Sequence, residues 1–192
     1  MNTALLVIDL QRGAFDGVRC PAIDAPERLL GHARRLLDAA RAGGRTIVFV
    51  QHSENVAGEV FEEATEHWRL HETLQPDGGP RESSLRKYAS SAFENTDLDA
   101  RLKAQGADEL VICGLQSEFC VSNTSRAALA LGYRVRLAQD AHGTWPSEGR
   151  SAEAIRAEVN AALSAAGAEP ATTAELERLL SGSLSSSSSS LR

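Results

Sequence analysis

The stretch E-L-V-I-C-G-L-Q-S-E-F-C-V-S-N-T-S-R-A-A-L-A-L-G-Y, running from Glu109 to Tyr133, decides the fold. It opens with an apolar run containing β-branched Val111 and Ile112 and closed by Gly114, the pattern of a buried strand in a parallel sheet. From Val121 the period changes, and Ala127, Ala128 and Leu131 form an apolar helical stripe that Gly132 ends. Cys120 therefore stands at or near the start of a helix that follows a strand and a turn. Unpaired backbone N–H groups and the positive end of the helix dipole gather there, which favours a thiolate and can hold a developing oxyanion. The competing reading is a buried, inert thiol, the common state of a free cysteine.

The segments on either side alternate strand and helix in the same way. Residues 4–10, A-L-L-V-I-D-L, read as a buried strand broken by one acid, Asp9. A carboxylate in such a run belongs at the strand's carboxyl end, where doubly wound sheets bind ligands; capping of the following turn is the alternative. Asp24, Pro26 and Glu27 predict a helix start with a capping box, and Leu29, Leu30, Ala33, Leu36, Leu37 and Ala40 its inward face. Residues 46–50 give a second strand, and residues 84–88 a short one holding Lys87. Further helices are expected over 96–105, 152–165 and 174–180, and further strands over 134–141 and 171–173. The whole predicts an α/β fold: a doubly wound, mostly parallel six-stranded sheet with helices on both faces. The intervening segment 51–81 reads as a lid or binding loop; His67 and His71, four apart, would share a helix face there.

Length suits one domain over 1–180, and the serine-rich stretch 181–192 reads as a disordered tail. A net charge of −6 without a Lys/Arg cluster argues against a nucleic-acid partner. There is no apolar run of membrane-spanning length, and the first residues enter a strand pattern without a signal peptide, so no membrane partner is expected. Three cysteines at irregular spacing, with no C-x-x-C, suggest a reducing, cytoplasmic setting. The residues after the first strand carry neither a dinucleotide fingerprint nor a phosphate loop, and Asp9-Leu10-Gln11 lacks the second aspartate of a haloacid-dehalogenase phosphotransferase.

Asp9, Lys87 and Cys120 all fall at expected carboxyl ends of strands or in the turns just after them, and those ends converge on one crevice. The chemistry is coherent: an ammonium holds the thiolate, and a carboxylate takes the thiol proton and returns it to a leaving amine. The motifs A-L-L-V-I-D-L-Q, R-K-Y-A-S-S-A-F-E-N-T-D-L, V-I-C-G-L-Q-S-E-F-C-V-S-N-T-S-R-A-A-L-A-L-G-Y and D-A-H, in this order over residues 4–180, resemble the isochorismatase-like cysteine hydrolases, which include nicotinamidases and N-carbamoylsarcosine amidase. The resemblance implies Asp9 as general base, Lys87 as electrostatic partner and Cys120 as nucleophile. It also implies a cis peptide at Leu115–Gln116, which turns the Gln116 N–H into an oxyanion hole shared with the Cys120 N–H. Most relatives carry threonine where Gln116 stands. Nicotinamidases show an Asp-x-His metal pattern where this chain reads Gln51-His52-Ser53-Glu54, so no metal and no cofactor is expected.

The function so implied is hydrolysis of a C–N bond in a small amide through a thioester acyl-enzyme. Isochorismatase-type vinyl-ether hydrolysis and a non-catalytic binding module on the same scaffold are the alternatives. Phe15, Trp68 and Phe119, with Phe93 and Trp145, are candidates to line an apolar substrate pocket. By analogy with relatives, a homodimer or homotetramer is expected.

Overall fold

The computed structural model describes residues 2–182. In chain order the elements are β1 (Thr3–Ile8), α1 (Pro26–Ala42), β2 (Thr46–His52), β3 (Glu82–Lys87), α2 (Leu98–Ala104), β4 (Glu109–Leu115), α3 (Ser122–Ala130), β5 (Arg134–Gly143), α4 (Ala152–Ala165), β6 (Glu169–Ala171) and α5 (Thr173–Ser181). The strands form one sheet in the order β3-β2-β1-β4-β5-β6. Every pairing is parallel. The chain builds outward from β1 to β3, returns to the centre at β4, and builds outward again to β6. The strand order thus reverses between β1 and β4, where such sheets open a crevice at their carboxyl ends.

Both central strands are buried along their whole length, which explains their unbroken apolar runs. Alternate side chains feed two cores. Leu6, Ile8 and Ile112 face α2, α3 and α4 through Leu98, Ala128 and Ile155. Leu5, Val7 and Val111 face α1 and α5 through Leu36, Leu37 and Leu176. None of the described helices is long and apolar enough to cross a membrane.

Several boundaries differ from the sequence expectation for identifiable reasons. Strand β1 stops at Ile8, because Asp9 turns into the left-handed region at φ 52°. Helix α1 has no capping box: its N-cap is Ala25, also left-handed, and Pro26 supplies the first turn with a preset φ instead. The capping box is found on α5, where Thr172 and Glu175 satisfy one another's backbone N–H groups. Strand β5 runs on to Gly143 through a register shift beside β4, so Asp140 and His142 lie inside it. His67 and His71 share no helix; the segment there is irregular, with a single 3-10 turn at Glu72–Leu74. Leu30, expected inward on α1, is only partly buried. Residues 183–192, most of the expected tail, lie outside the described residues.

Two features of β4 and β5 fix the crevice. Gly114 adopts φ 127°, and a Cβ there would lie 1.9 Å from the Ile8 carbonyl oxygen. Only glycine lets the two central strands approach at the point where both end. His142 is buried; its Nε2–H donates to Asn160 Oδ1 of α4 at 2.9 Å, and Nδ1 accepts from Ser117 Oγ at 2.8 Å. Burial, assisted by Arg156, pushes its pKa down to about 4 against the pull of Asn160.

Gly114→Ala should therefore destabilise the protein by about 3 kcal/mol or more in chemical denaturation, and a loss below about 1 kcal/mol would contradict the close approach. For His142 the depressed folded pKa sets the sign. Above pH 6.5 the imidazole is neutral in both states. As the pH falls from there towards 4, the unfolded chain takes up a proton that the folded chain refuses, so stability is lost. The shift corresponds to on the order of 3 kcal/mol. His142→Gln should flatten this part of the stability–pH curve; identical curves for the two proteins would contradict it.

Candidate active site

The carboxyl ends of β1, β2, β3 and β4 deliver the site. Lys87 is the last residue of β3, in register with His52, the last residue of β2. Its side chain is fully buried and reaches over the end of β2 to Asp9, with Nζ 2.8 Å from Asp9 Oδ2. Nζ also lies 3.2 Å from Cys120 Sγ, 3.2 Å from His52 Nδ1 and 3.2 Å from the Ala89 carbonyl oxygen. Four acceptors thus surround a group with three N–H bonds. The second carboxylate oxygen of Asp9, Oδ1, is buried and has no hydrogen-bond partner among the described residues.

Cys120 occupies a wide helical turn, Ser117–Val121, between β4 and α3. The turn is closed by the Val121 N–H donating to the Gln116 carbonyl oxygen at 3.1 Å, an i→i−5 bond. The peptide before it, Leu115–Gln116, is cis. Behind the turn, Ser117 is tied to His142. Asn123 donates to Ser90 Oγ at 2.8 Å, and that hydroxyl lies 3.8 Å from the Cys120 sulfur.

The electrostatics correct one sequence expectation. Burial and then Asp9 push the Cys120 thiol up to about 11, and the lowering by Lys87 does not outweigh them. The resting group is therefore a thiol, where helix-start placement and a nearby lysine had suggested thiolate. Burial also works against the Lys87 ammonium, but Asp9 and then Cys120 prevail and hold its pKa above the usual lysine value. His52 is kept below its ordinary pKa by burial and by Lys87, against the opposite pull of Asp9 and Glu54. At neutral pH the cluster is an ammonium, a thiol and an uncharged imidazole facing one carboxyl group.

Above this cluster opens a cavity of about 670 Å³, lined by Asp9, His52, Leu115, Gln116 and Cys120 at its floor. Cys20, Pro21, Glu54, Val60, Phe61, Trp145 and Pro146 form the remaining lining. Asp9, Lys87, Leu115, Gln116 and Cys120 are thus brought together. The pocket candidates are not. Phe15 packs edge-on against His71, with ring centroids 5.0 Å apart. Trp68 bonds Ser53 through its indole N–H and lies under the Arg86 guanidinium. Phe119 is half exposed and is not among the lining residues, and Phe93 stacks on Tyr133. Trp145 does line the cavity, its indole N–H donating to the Pro21 carbonyl oxygen.

Sequence reading missed His52, Glu54 and Phe61 as lining residues; the last position of β2 was the available signal for His52. Among the described residues no group of three or more His, Cys, Asp or Glu side chains is arranged to hold a metal ion. His67 is paired with Asp16, and His71 accepts from Thr73. The other two thiols have separate surroundings. Cys113 is a core residue pushed up to about 12 by burial, and Cys20 donates to the Gly13 carbonyl oxygen at 3.4 Å.

Residues 3–175 match the model of the isochorismatase domain. Two streptothricin hydrolases of Streptomyces noursei are 40% and 39% identical, each over 91% of this chain. The chain spans 60% and 66% of the length of these two relatives. An isochorismatase from Pseudomonas putida KT2440 is 30% identical and superposes with a TM-score of 0.82, covering 91% of this chain and 89% of that one. With the parallel sheet, the strand-order reversal and the matched domain in agreement, the chain belongs to the isochorismatase family.

Proposed function

We propose that the protein is a cysteine hydrolase that cleaves the C–N bond of a small amide, with Asp9, Lys87 and Cys120 as its catalytic triad. One observation carries the reading. A fully buried ammonium lies 2.8 Å from a carboxylate and 3.2 Å from a thiol, at the floor of a cavity large enough for a small molecule. Its burial against two acidic groups is costly unless the arrangement is used.

The elevated thiol pKa defines the first step. Cys120 does not wait as a thiolate; it surrenders its proton to Asp9 as the sulfur attacks the amide carbonyl carbon. Lys87 stays charged throughout and stabilises the sulfur's developing negative charge. The oxygen of the tetrahedral intermediate is held by the N–H groups of Gln116 and Cys120. Asp9 then gives the proton to the nitrogen, the C–N bond breaks and the amine leaves, with a thioester on Cys120. Water, losing a proton to Asp9, attacks the thioester; the carbonyl re-forms, the acid departs, and the thiol regains its proton. Each proton taken by Asp9 is returned, and no external reductant or oxidant is needed.

The apolar walls contributed by Val60, Phe61 and Trp145 suit a substrate with an apolar or planar body beside its amide. The two relatives described as streptothricin hydrolases make streptothricin a natural first compound in a panel of amides scored by released amine.

Cys120→Ala should retain the fold and lose turnover by at least about 10³-fold on the best panel substrate. Asp9→Asn separates the two roles of the carboxylate. Removing an anion that raises the thiol pKa should make Cys120 alkylate faster with iodoacetamide at pH 7, while the loss of the proton carrier lowers turnover by about 10²–10⁴-fold. Slower alkylation in Asp9→Asn, or substantial turnover by Cys120→Ala, would overturn the assignment.

A further inference from the structure

His52 has no part in the steps above, yet it is fixed as firmly as the triad. Gln11 clamps its backbone from both sides: the His52 N–H donates to Gln11 Oε1 at 2.8 Å, and Gln11 Nε2 donates to the His52 carbonyl oxygen at 2.9 Å. Its ring meets Phe61 edge-on, with centroids 6.1 Å apart. Its Nδ1 lies 3.2 Å from Lys87 Nζ. An ammonium can only donate, so Nδ1 is the acceptor and the proton of a neutral ring resides on Nε2. Among the described residues Nε2 has no hydrogen-bond partner, and the ring lines the cavity. A fixed N–H donor therefore points into the space that a substrate would fill.

The rest of the lining sharpens what that donor can meet. Among the described residues the ionisable groups of the wall are Asp9, Glu54, His52 and the thiols of Cys20 and Cys120, with neither arginine nor lysine lining it. A carboxylate entering here would face two acidic side chains, with Lys87 below them already engaged by Asp9. We propose that His52 is a substrate-binding residue, anchored to Lys87 through Nδ1 and donating its Nε2–H to an uncharged acceptor on the substrate, so that the site takes amides without a carboxylate in preference to carboxylate-bearing ones. This rests on the amidase reading above.

Protonation would turn His52 from an acceptor into a second cation beside Lys87. The charged groups acting on the ring are Lys87 from β3, Asp9 from the end of β1, and Glu54 beyond its own strand. Burial and Lys87 place this protonation below the usual histidine range.

Two measurements test the proposal. In the wild-type protein, Cys120 is alkylated with iodoacetamide and with iodoacetate, two probes of nearly equal size of which only the second is anionic. The rate ratio is compared with that of free glutathione. Preference for the neutral probe should exceed the glutathione ratio by about tenfold or more; an equal or smaller ratio overturns the selection against carboxylates. In the second measurement, His52→Leu should raise KM for the best panel amide about tenfold. His52→Gln, which retains a neutral N–H donor, should stay within about threefold and lose the acid limb that His52 contributes to kcat/KM. Unchanged KM in a folded His52→Leu protein overturns the binding role. Cys120→Ala assayed in parallel separates the two readings: if it keeps turning over, the amidase reading fails, and if it is inactive while His52→Leu is unchanged, the His52 role alone fails.

Discussion

A lysine ammonium buried to zero exposure beside a carboxylate is the constraint on which the rest of this structure turns. Desolvating either charge costs several kcal/mol, and their attraction offsets that only when geometry and remaining hydrogen bonds are good. Here the carboxylate lies at 2.8 Å, and a backbone carbonyl, a thiol and an imidazole nitrogen complete the shell at 3.2 Å. Meeting those distances requires Lys87 to stretch from the edge strand across the end of β2 to the central strand. It also requires Asp9 to leave β1 in a left-handed turn, a conformation aspartate accepts more readily than most residues. The Asp9 N–H remains tied to the Val50 carbonyl oxygen at 2.9 Å, which fixes where that turn begins.

The pair is effective because of where the chain reverses direction in the sheet. β1 and β4 lie side by side, β2 and β3 to one side and β5 to the other; the ends of β1, β2 and β4 open into one cavity, with Lys87 of β3 buried beside them. The glycine at 114 allows the central strands to close up there, and the wide turn after β4 brings Cys120 back over the pair. The turn is held from behind by a buried polar chain from Ser117 through His142 to Asn160 on α4. A neutral His142 suits that task, since it must accept from the serine and donate to the amide at once.

Much of this was legible in the sequence, and the exceptions are physical. Near-continuous apolar runs at residues 4–10 and Leu110–Cys113 read as strands buried on both faces, so the parallel sheet followed from patterning. Asp9 stood out as the one charge in such a run. Lys87 did not, because strand-end lysines are ordinarily exposed, and the family motif rather than spacing marked it. The thiol's ionisation was only half legible: the helix start and Lys87 favour thiolate, and a sequence cannot weigh the burial that, with Asp9, outweighs them. The pocket was misread for a different reason. An aromatic residue announces apolar burial, not which side of a loop it faces, so Phe15, Trp68 and Phe119 pointed elsewhere while Phe61 closed the cavity. His52 stood in the sequence only as part of an incomplete metal pattern, and its place in the cluster came from the register that sets it opposite Lys87.

The central claim is that a covalent bond forms between substrate and the Cys120 sulfur. Rapid acid quench during turnover of the best panel amide, followed by mass spectrometry of the intact protein and its peptides, reads this directly. The account predicts a transient mass increase equal to the acyl group, located on the peptide containing Cys120 and discharged by hydroxylamine. Steady turnover with no adduct at any quench time, even when hydroxylamine is present to compete with water and no hydroxamate forms, would contradict it and point to direct attack by water.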